Sequence, residues 1–479
     1  MSFRFHLHAN DVASYRWGSL LATYSPFAPV DTRTLPETIA SFAAGVAAWK
    51  SNPEFRENIS FIHECVHYLQ DMLTGVGHWD YTVRRKSMRG VLGDAMLLTW
   101  APQSRPPFTN ESARDEYMPT EILSEALETR ESALDSFLFV PSPNLSASRM
   151  KDISGALAAA AGVKEVPQSD VEPLLVDSLL ESEAMVTAWL QVSWLKMSDE
   201  QWEIAEQNRT LFNPLHMSSK YVDTFYNFYG SLSPAEGGET NTFVKLMLRL
   251  FPFFVDLSCA HPSERLLEQT SSSKMDYYPG LKFARLIRSF LKFTPAEDEK
   301  FYQAIYEKDV WKAEDYLLQH CEFPYMASRQ IYEDWSELFT EMAKADDNRI
   351  LRIRQQCSQF RLSDPSACVT KTLSFPVFNK VPIYYLLPTG IQSYGFSYDH
   401  IDPEEKAIYF ADLMQYNRDL ALIDYYFDTG QFICPFAEAN VCDAITNACR
   451  TGITEPNQFP QRDACLVRHS LEAAGFKLD

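Results

Sequence analysis

The stretch Asn52-Pro-Glu-Phe-Arg-Glu-Asn-Ile-Ser-Phe-Ile-His63-Glu64-Cys65-Val66-His67-Tyr-Leu-Gln70-Asp-Met-Leu73 decides the reading of this chain. Asn52 followed by Pro53 is an N-cap and first-turn proline, and Glu54 complements the helix dipole. Phe61, Ile62, Val66, Leu69, Met72 and Leu73 then recur at helical spacing, and Gly75 and Gly77 are expected to end the helix. On that helix His63 and His67, four residues apart, share one face and can aim ring nitrogens at one metal ion. Glu64, beside the first histidine, is placed to act as general base on a metal-bound water. Cys65 turns away from that face and reads as packing.

Zinc catalysis needs three protein ligands and an open position. A third ligand after a short turn would need glycine and histidine where the chain has Gln70 and Leu73, so it must come from elsewhere. The segment Pro173-Leu-Leu-Val-Asp177-Ser-Leu-Leu-Glu181-Ser-Glu183-Ala184 opens a second helical pattern. Leu174, Asp177, Glu181, Ala184 and Ala188 fall on one of its faces, and small residues beside a carboxylate let two helices approach. Glu181 is therefore favoured as third ligand over Glu183, which faces elsewhere. Asp177, one turn earlier, is placed to orient a histidine through its free ring N–H.

His63-Glu-Cys-Val-His-Tyr-Leu-Gln followed by Glu181-Ser-Glu-Ala resembles the zincin metallopeptidases of the glutamate-ligand (gluzincin) group. It is especially similar to poorly characterised bacterial proteins with a His-Glu-x-x-His-x-x-Gln-Asp helix and a later Glu-Ser-x-Ala helix. The resemblance implies Zn2+ on His63, His67 and Glu181, with Glu64 as base. It covers two short segments, and the 114 residues from His67 to Glu181 exceed the spacing of compact gluzincins.

Length and composition bound the rest. The 479 residues suffice for two to four domains, and 46% hydrophobic with 13% aromatic residues argues for well-packed interiors. A net charge of −21 argues against nucleic-acid binding. The N-terminus lacks the apolar core of a signal peptide, and the apolar run Leu246 to Leu257 is broken by Arg249, Pro252 and Asp256. No membrane association and a cytoplasmic location are therefore expected. Nine cysteines, an odd count in a long chain, fit reduced thiols.

The fold expected is mainly α (α+β): a helical zincin-like core with few short strands and a helical C-terminal region. Residues 1–270 would form the catalytic region, with the zinc helix near 53–74, the third-ligand helix near 173–195 and a long insertion between. Residues 271–430 would be mainly helical, and 431–479 a cysteine-containing segment. Strands are expected at 3–8, at Tyr81 to Met88 beside the active site, and at Val381 to Leu387; helices at 120–138, 146–162, 240–258, 281–345 and 404–416. Cys434, Cys442, Cys449 and Cys465 cluster without a C-x-x-C pair; they fit either a structural metal site or buried thiols. Tyr226 and His261 are candidate donors to a developing oxyanion, with packed aromatics and a loop histidine as the plainer alternative.

The function expected is zinc-dependent hydrolysis of peptide bonds in a peptide or protein substrate, through a zinc-activated water with Glu64 as base. The alternatives are a zinc amidase or deformylase-like hydrolase of a small substrate, and a non-catalytic helical scaffold.

Overall fold

A computed structural model describes residues 13–16, 20–24, 53–83, 85, 147–161, 164, 168–194, 223–232, 241–345, 349–371, 377–380, 383–387, 390–394, 402–421, 434, 446–454, 458–460, 465 and 468. Helix dominates them, so the expected mainly-α class holds. The strands expected at 3–8 and the helix expected at 120–138 lie outside the described residues. The chain forms two compact units interleaved in sequence. One comprises 27–79 and 138–381; the other comprises 1–26, 80–137 and 382–479. These boundaries differ from the three consecutive regions expected, because long-range packing ignores the order of segments along the chain.

The first unit is helical. Its elements are α1 (Pro53–Leu73), α2 (Ala147–Ala161), α3 (Val176–Trp194), α4 (Asp223–Leu232), α5 (Asn241–Ser258), α6 (Glu264–Thr270), α7 (Pro279–Phe290), α8 (Pro295–Tyr306), α9 (Val310–Gln319), α10 (Ser328–Ala345), α11 (Arg349–Ser363) and α12 (Pro365–Thr370). Helix starts follow from local chemistry. The hydroxyl of Ser263 accepts from the Leu266 N–H, the Asp364 carboxylate accepts from the Ala367 N–H, and Thr294 with Glu297 forms a capping box. The expected run 281–345 breaks into four helices because Pro295, Asp309 and Ser328 each restart one.

α1 packs along α3 through a stripe in which Ile62, Val66, Leu69 and Leu73 of α1, and Leu180, Ala184 and Ala188 of α3, are buried. The small side chains of Ala184 and Ala188 permit close approach. α5 lies against α3 and α7, and its phenylalanines fill the core. Phe251 meets Phe225 edge-on at 5.3 Å, and Phe254 meets Phe290 at 5.8 Å, as aromatic quadrupoles favour. α10 and α11 form an antiparallel hairpin of helices whose second member reaches α1.

Gly75 and Gly77 do not end the helical path: it breaks at Thr74 alone and resumes over 75–83. The Thr74 hydroxyl donates back to the Gln70 carbonyl at 2.7 Å and accepts the Gly77 N–H at 3.1 Å, so it closes one helix and caps the next. The glycines serve close approach instead. A Cβ on Gly75 would lie 2.3 Å from the His261 backbone nitrogen, and one on Gly77 would lie 2.0 Å from the Asp71 carbonyl oxygen. The strand expected at Tyr81 to Met88 is corrected over its first part, where Tyr81, Thr82 and Val83 are helical; residues 86–88 lie outside the described residues. Tyr81 and Val83 are both buried there, and tertiary burial outweighs their β propensity.

The second unit holds a four-stranded sheet in the order β1 (Ala13–Arg16), β2 (Leu21–Tyr24), β3 (Ile383–Leu387), β4 (Gly390–Tyr394). β1 and β2 are antiparallel, β2 and β3 parallel with Ala22 opposite Tyr385, and β3 and β4 a hairpin in which Leu387 pairs with Gly390. Helix α13 (Pro403–Ala421) meets β3 through Tyr409, which stacks on Tyr384 at 5.8 Å. Among the described residues no helix is long and apolar enough to cross a membrane.

Candidate metal centre

α1 and α3 bring together the three side chains whose spacing suggested a metal site. His63 Nε2 lies 2.9 Å from Glu181 Oε2 and 2.9 Å from His67 Nε2, and His67 Nε2 lies 3.3 Å from the same Glu181 oxygen. One helical turn separates the two imidazoles, which meet edge to face with centroids 4.4 Å apart. A point equidistant from the three donor atoms lies about 1.8 Å from each, close to the 2.0–2.1 Å of a zinc–nitrogen bond, so the three donors could hold one ion. Two neutral nitrogen donors and one carboxylate also suit zinc chemically. Among the described residues this is the group of histidine, cysteine and acidic side chains arranged to hold a metal.

Glu181, and not Glu183, faces the histidines. Glu183 is wholly buried two positions on and accepts from Lys371 Nζ at 2.6 Å. The Glu181 side chain is 21% exposed against 6% and 10% for His63 and His67, so the cluster keeps contact with solvent on its carboxylate side. Burial alone would lower the pKa of His67, but the Glu181 carboxylate and its hydrogen bond, then Glu64 and Gln70, raise it to about 9. Burial alone would raise that of Glu181, but the two imidazoles hold it well below the usual carboxylate range. Glu64 is buried on α1 beside His63, close enough for its charge to act on His67.

Other expected residues fall differently. His261 belongs to the core and not to the cluster. It is fully buried, its ring packs 4.6 Å from Trp79 and 6.3 Å from Tyr277, and its Nδ1 bonds the Pro262 carbonyl at 2.8 Å. It sits there because Trp335 Nε1 donates to its carbonyl at 2.8 Å and Gly75 leaves room for its backbone. Tyr226 lies on α4, and its side chain is outside what the structure describes. Asp177 lies in the first turn of α3. For His67, the orienting contact assigned to Asp177 is made by Gln70, whose Oε1 lies 2.7 Å from His67 Nδ1. Of the C-terminal cysteines, Cys442 lies outside the described residues. Cys434, Cys449 and Cys465 form no three-donor group, although the Cys434 N–H donates to the Cys449 carbonyl at 3.2 Å.

Sequence reasoning missed what lies behind Gln70. Its amide nitrogen donates to the Leu180 carbonyl at 2.9 Å and to Glu183 at 2.8 Å. Lys371 Nζ bridges Glu183 to Asp256, at 2.8 Å, and Asp256 is doubly bonded to Arg361. Two carboxylates and two cations, all wholly buried, thus balance in charge. Burial opposes the charged form of Lys371, but Asp256 and Glu183 push its pKa above the ordinary lysine value. In sequence, the one signal was a lysine and two acids inside otherwise apolar segments.

Comparison with protein-family models, with curated proteins and with solved structures gives no match.

Proposed function

We propose that this chain is a zinc-dependent metallopeptidase. The observation that supports the reading is the convergence of His63 Nε2, His67 Nε2 and Glu181 Oε2 to within 3.3 Å of one another, with Glu64 adjacent. Zinc held there would polarise a scissile carbonyl and make water acidic enough to attack near neutral pH. The chain's own part is threefold. His63 and His67 present their Nε2 lone pairs from a rigid helix. Glu181 supplies the charge that makes the site anionic and selective for a cation. Glu64 takes the proton of the attacking water and returns it to the leaving amine. Preference for peptides over smaller amides follows from the resemblance of the two ligand helices to gluzincins.

The test is hydrolysis of a pool of unmodified peptides by the zinc-loaded full chain, read by mass spectrometry, for wild type and Glu64→Gln. The expected result is cleavage by wild type, reduced about 10²–10⁴-fold in the variant, which keeps its metal. Hydrolysis of small acyl amides with no peptide cleaved would replace the peptidase by an amidase. Equal rates for the two proteins would remove Glu64 from the mechanism.

A further inference from the structure

We infer that Gln70, locked by the buried Glu183–Lys371 pair, is the positioning residue that fixes the ring of His67 for metal binding. The inference rests on the zinc reading above and goes beyond its ligand set.

An amide side chain has one acceptor end and one donor end. Gln70 is surrounded by two groups that only accept, the Leu180 carbonyl at 2.9 Å and the Glu183 carboxylate at 2.8 Å. Both amide hydrogens are consumed by them. Turning the amide over would set its oxygen against two other oxygens in a buried site and leave both acceptors without a donor. Oε1 therefore faces His67 Nδ1, 2.7 Å away, and can only accept. In neutral His67 the single ring proton must then sit on Nδ1, which leaves Nε2 with a free lone pair aimed at His63 Nε2 and Glu181 Oε2. Without this lock a neutral imidazole can carry its proton on Nε2, where it blocks a metal.

Glu183 has its own anchor. Lys371 supplies it at 2.6 Å and is itself held by Asp256 at 2.8 Å. The chain holds Lys371 there at some cost. Its backbone has φ 44°, the left-handed region usual for glycine, at the C-terminal cap of α12. A glycine would fit that backbone better, so the ammonium group is the reason for a lysine. Gln191 Nε2 holds its carbonyl at 2.9 Å.

The experiment is zinc affinity of the full chain, by competition with a chromophoric chelator, for wild type, Gln70→Leu, Glu183→Gln and the double variant Gln70→Glu/Glu183→Gln. The urea midpoint of each metal-free protein is measured alongside. Gln70→Leu should bind zinc about 10–100-fold more weakly. Glu183→Gln, which lets the Gln70 amide turn over, should lose a smaller part of that. The double variant conserves charge and again offers His67 only an acceptor, so it should bind more tightly than Glu183→Gln alone. Variants that bind zinc within twofold of wild type, or that lose metal-free stability with unchanged affinity, would overturn the inference and leave the quartet as a folding element. Wild type that binds no zinc would instead overturn the metal-site reading itself.

Discussion

Arg354 Nη2 lies 2.8 Å from Asp71 Oδ1, and neither side chain is exposed. The same guanidinium donates to the Asp71 carbonyl at 2.8 Å and the Gly77 carbonyl at 3.2 Å, so α11 clamps both sides of the break at Thr74. Asp71 follows Gln70 directly, and the clamp therefore fixes the end of the helix that carries the candidate ligands.

Removing one partner of a buried ion pair strands the other. Arg354→Met should destabilise the chain by about 3–5 kcal/mol, and Asp71→Leu/Arg354→Met by less, because the stranded carboxylate is gone. Urea denaturation checks both. A double variant less stable than the single would contradict this account, because both lack the guanidinium and differ only in the stranded carboxylate.

The close approach at Gly77 predicts a contrast between two alanine substitutions. Gly77→Ala would put a methyl 2.0 Å from the Asp71 carbonyl oxygen and should cost about 1–3 kcal/mol. Gly155→Ala on α2, where nothing lies within 4 Å of the added carbon, should stabilise by about 0.5–1 kcal/mol. Thermal midpoints shifted in the same direction would contradict the argument.

His78 predicts an acid dependence of stability. Its pKa is held well below 6.5, first by burial and then by the guanidinium groups of Arg354 and Arg361. The folded chain keeps this imidazole neutral while the unfolded chain protonates it, so stability present above pH 6.5 is lost as pH falls below it. The loss approaches about 1.4 kcal/mol per pH unit. His261, lowered to about 3 mainly by burial, acts in the same direction. Between pH 6 and pH 4.5, stability of His78→Gln should fall less steeply than that of wild type, by roughly one proton's worth of slope. Parallel slopes would mean that His78 protonates in the folded state.

The candidate site was legible where its chemistry is local. Two histidines one turn apart on an apolar helix announce a shared face, and the small residues around Glu181 announce a close helix contact. The partners of Gln70 were not legible, because Glu183 and Lys371 lie 113 and 188 residues from the groups they bond. His261 shows the converse: sequence leaves both an oxyanion donor and a plain loop histidine open, and only Trp79 and Tyr277 around it show a core residue. In the fold, long helices declared themselves by periodicity. β1 and β2, four residues each, carry too little pattern to be read, and β2 gains its place by pairing with β3, hundreds of positions away.

The central claim is a metal held by His63, His67 and Glu181. Elemental analysis of the purified full chain, for wild type, His63→Ala and Glu181→Ala, tests it most directly. One zinc per chain in wild type and none in either variant is the predicted result. Wild type purified and loaded with zinc yet holding no stoichiometric metal, or variants that hold as much as wild type, would contradict it.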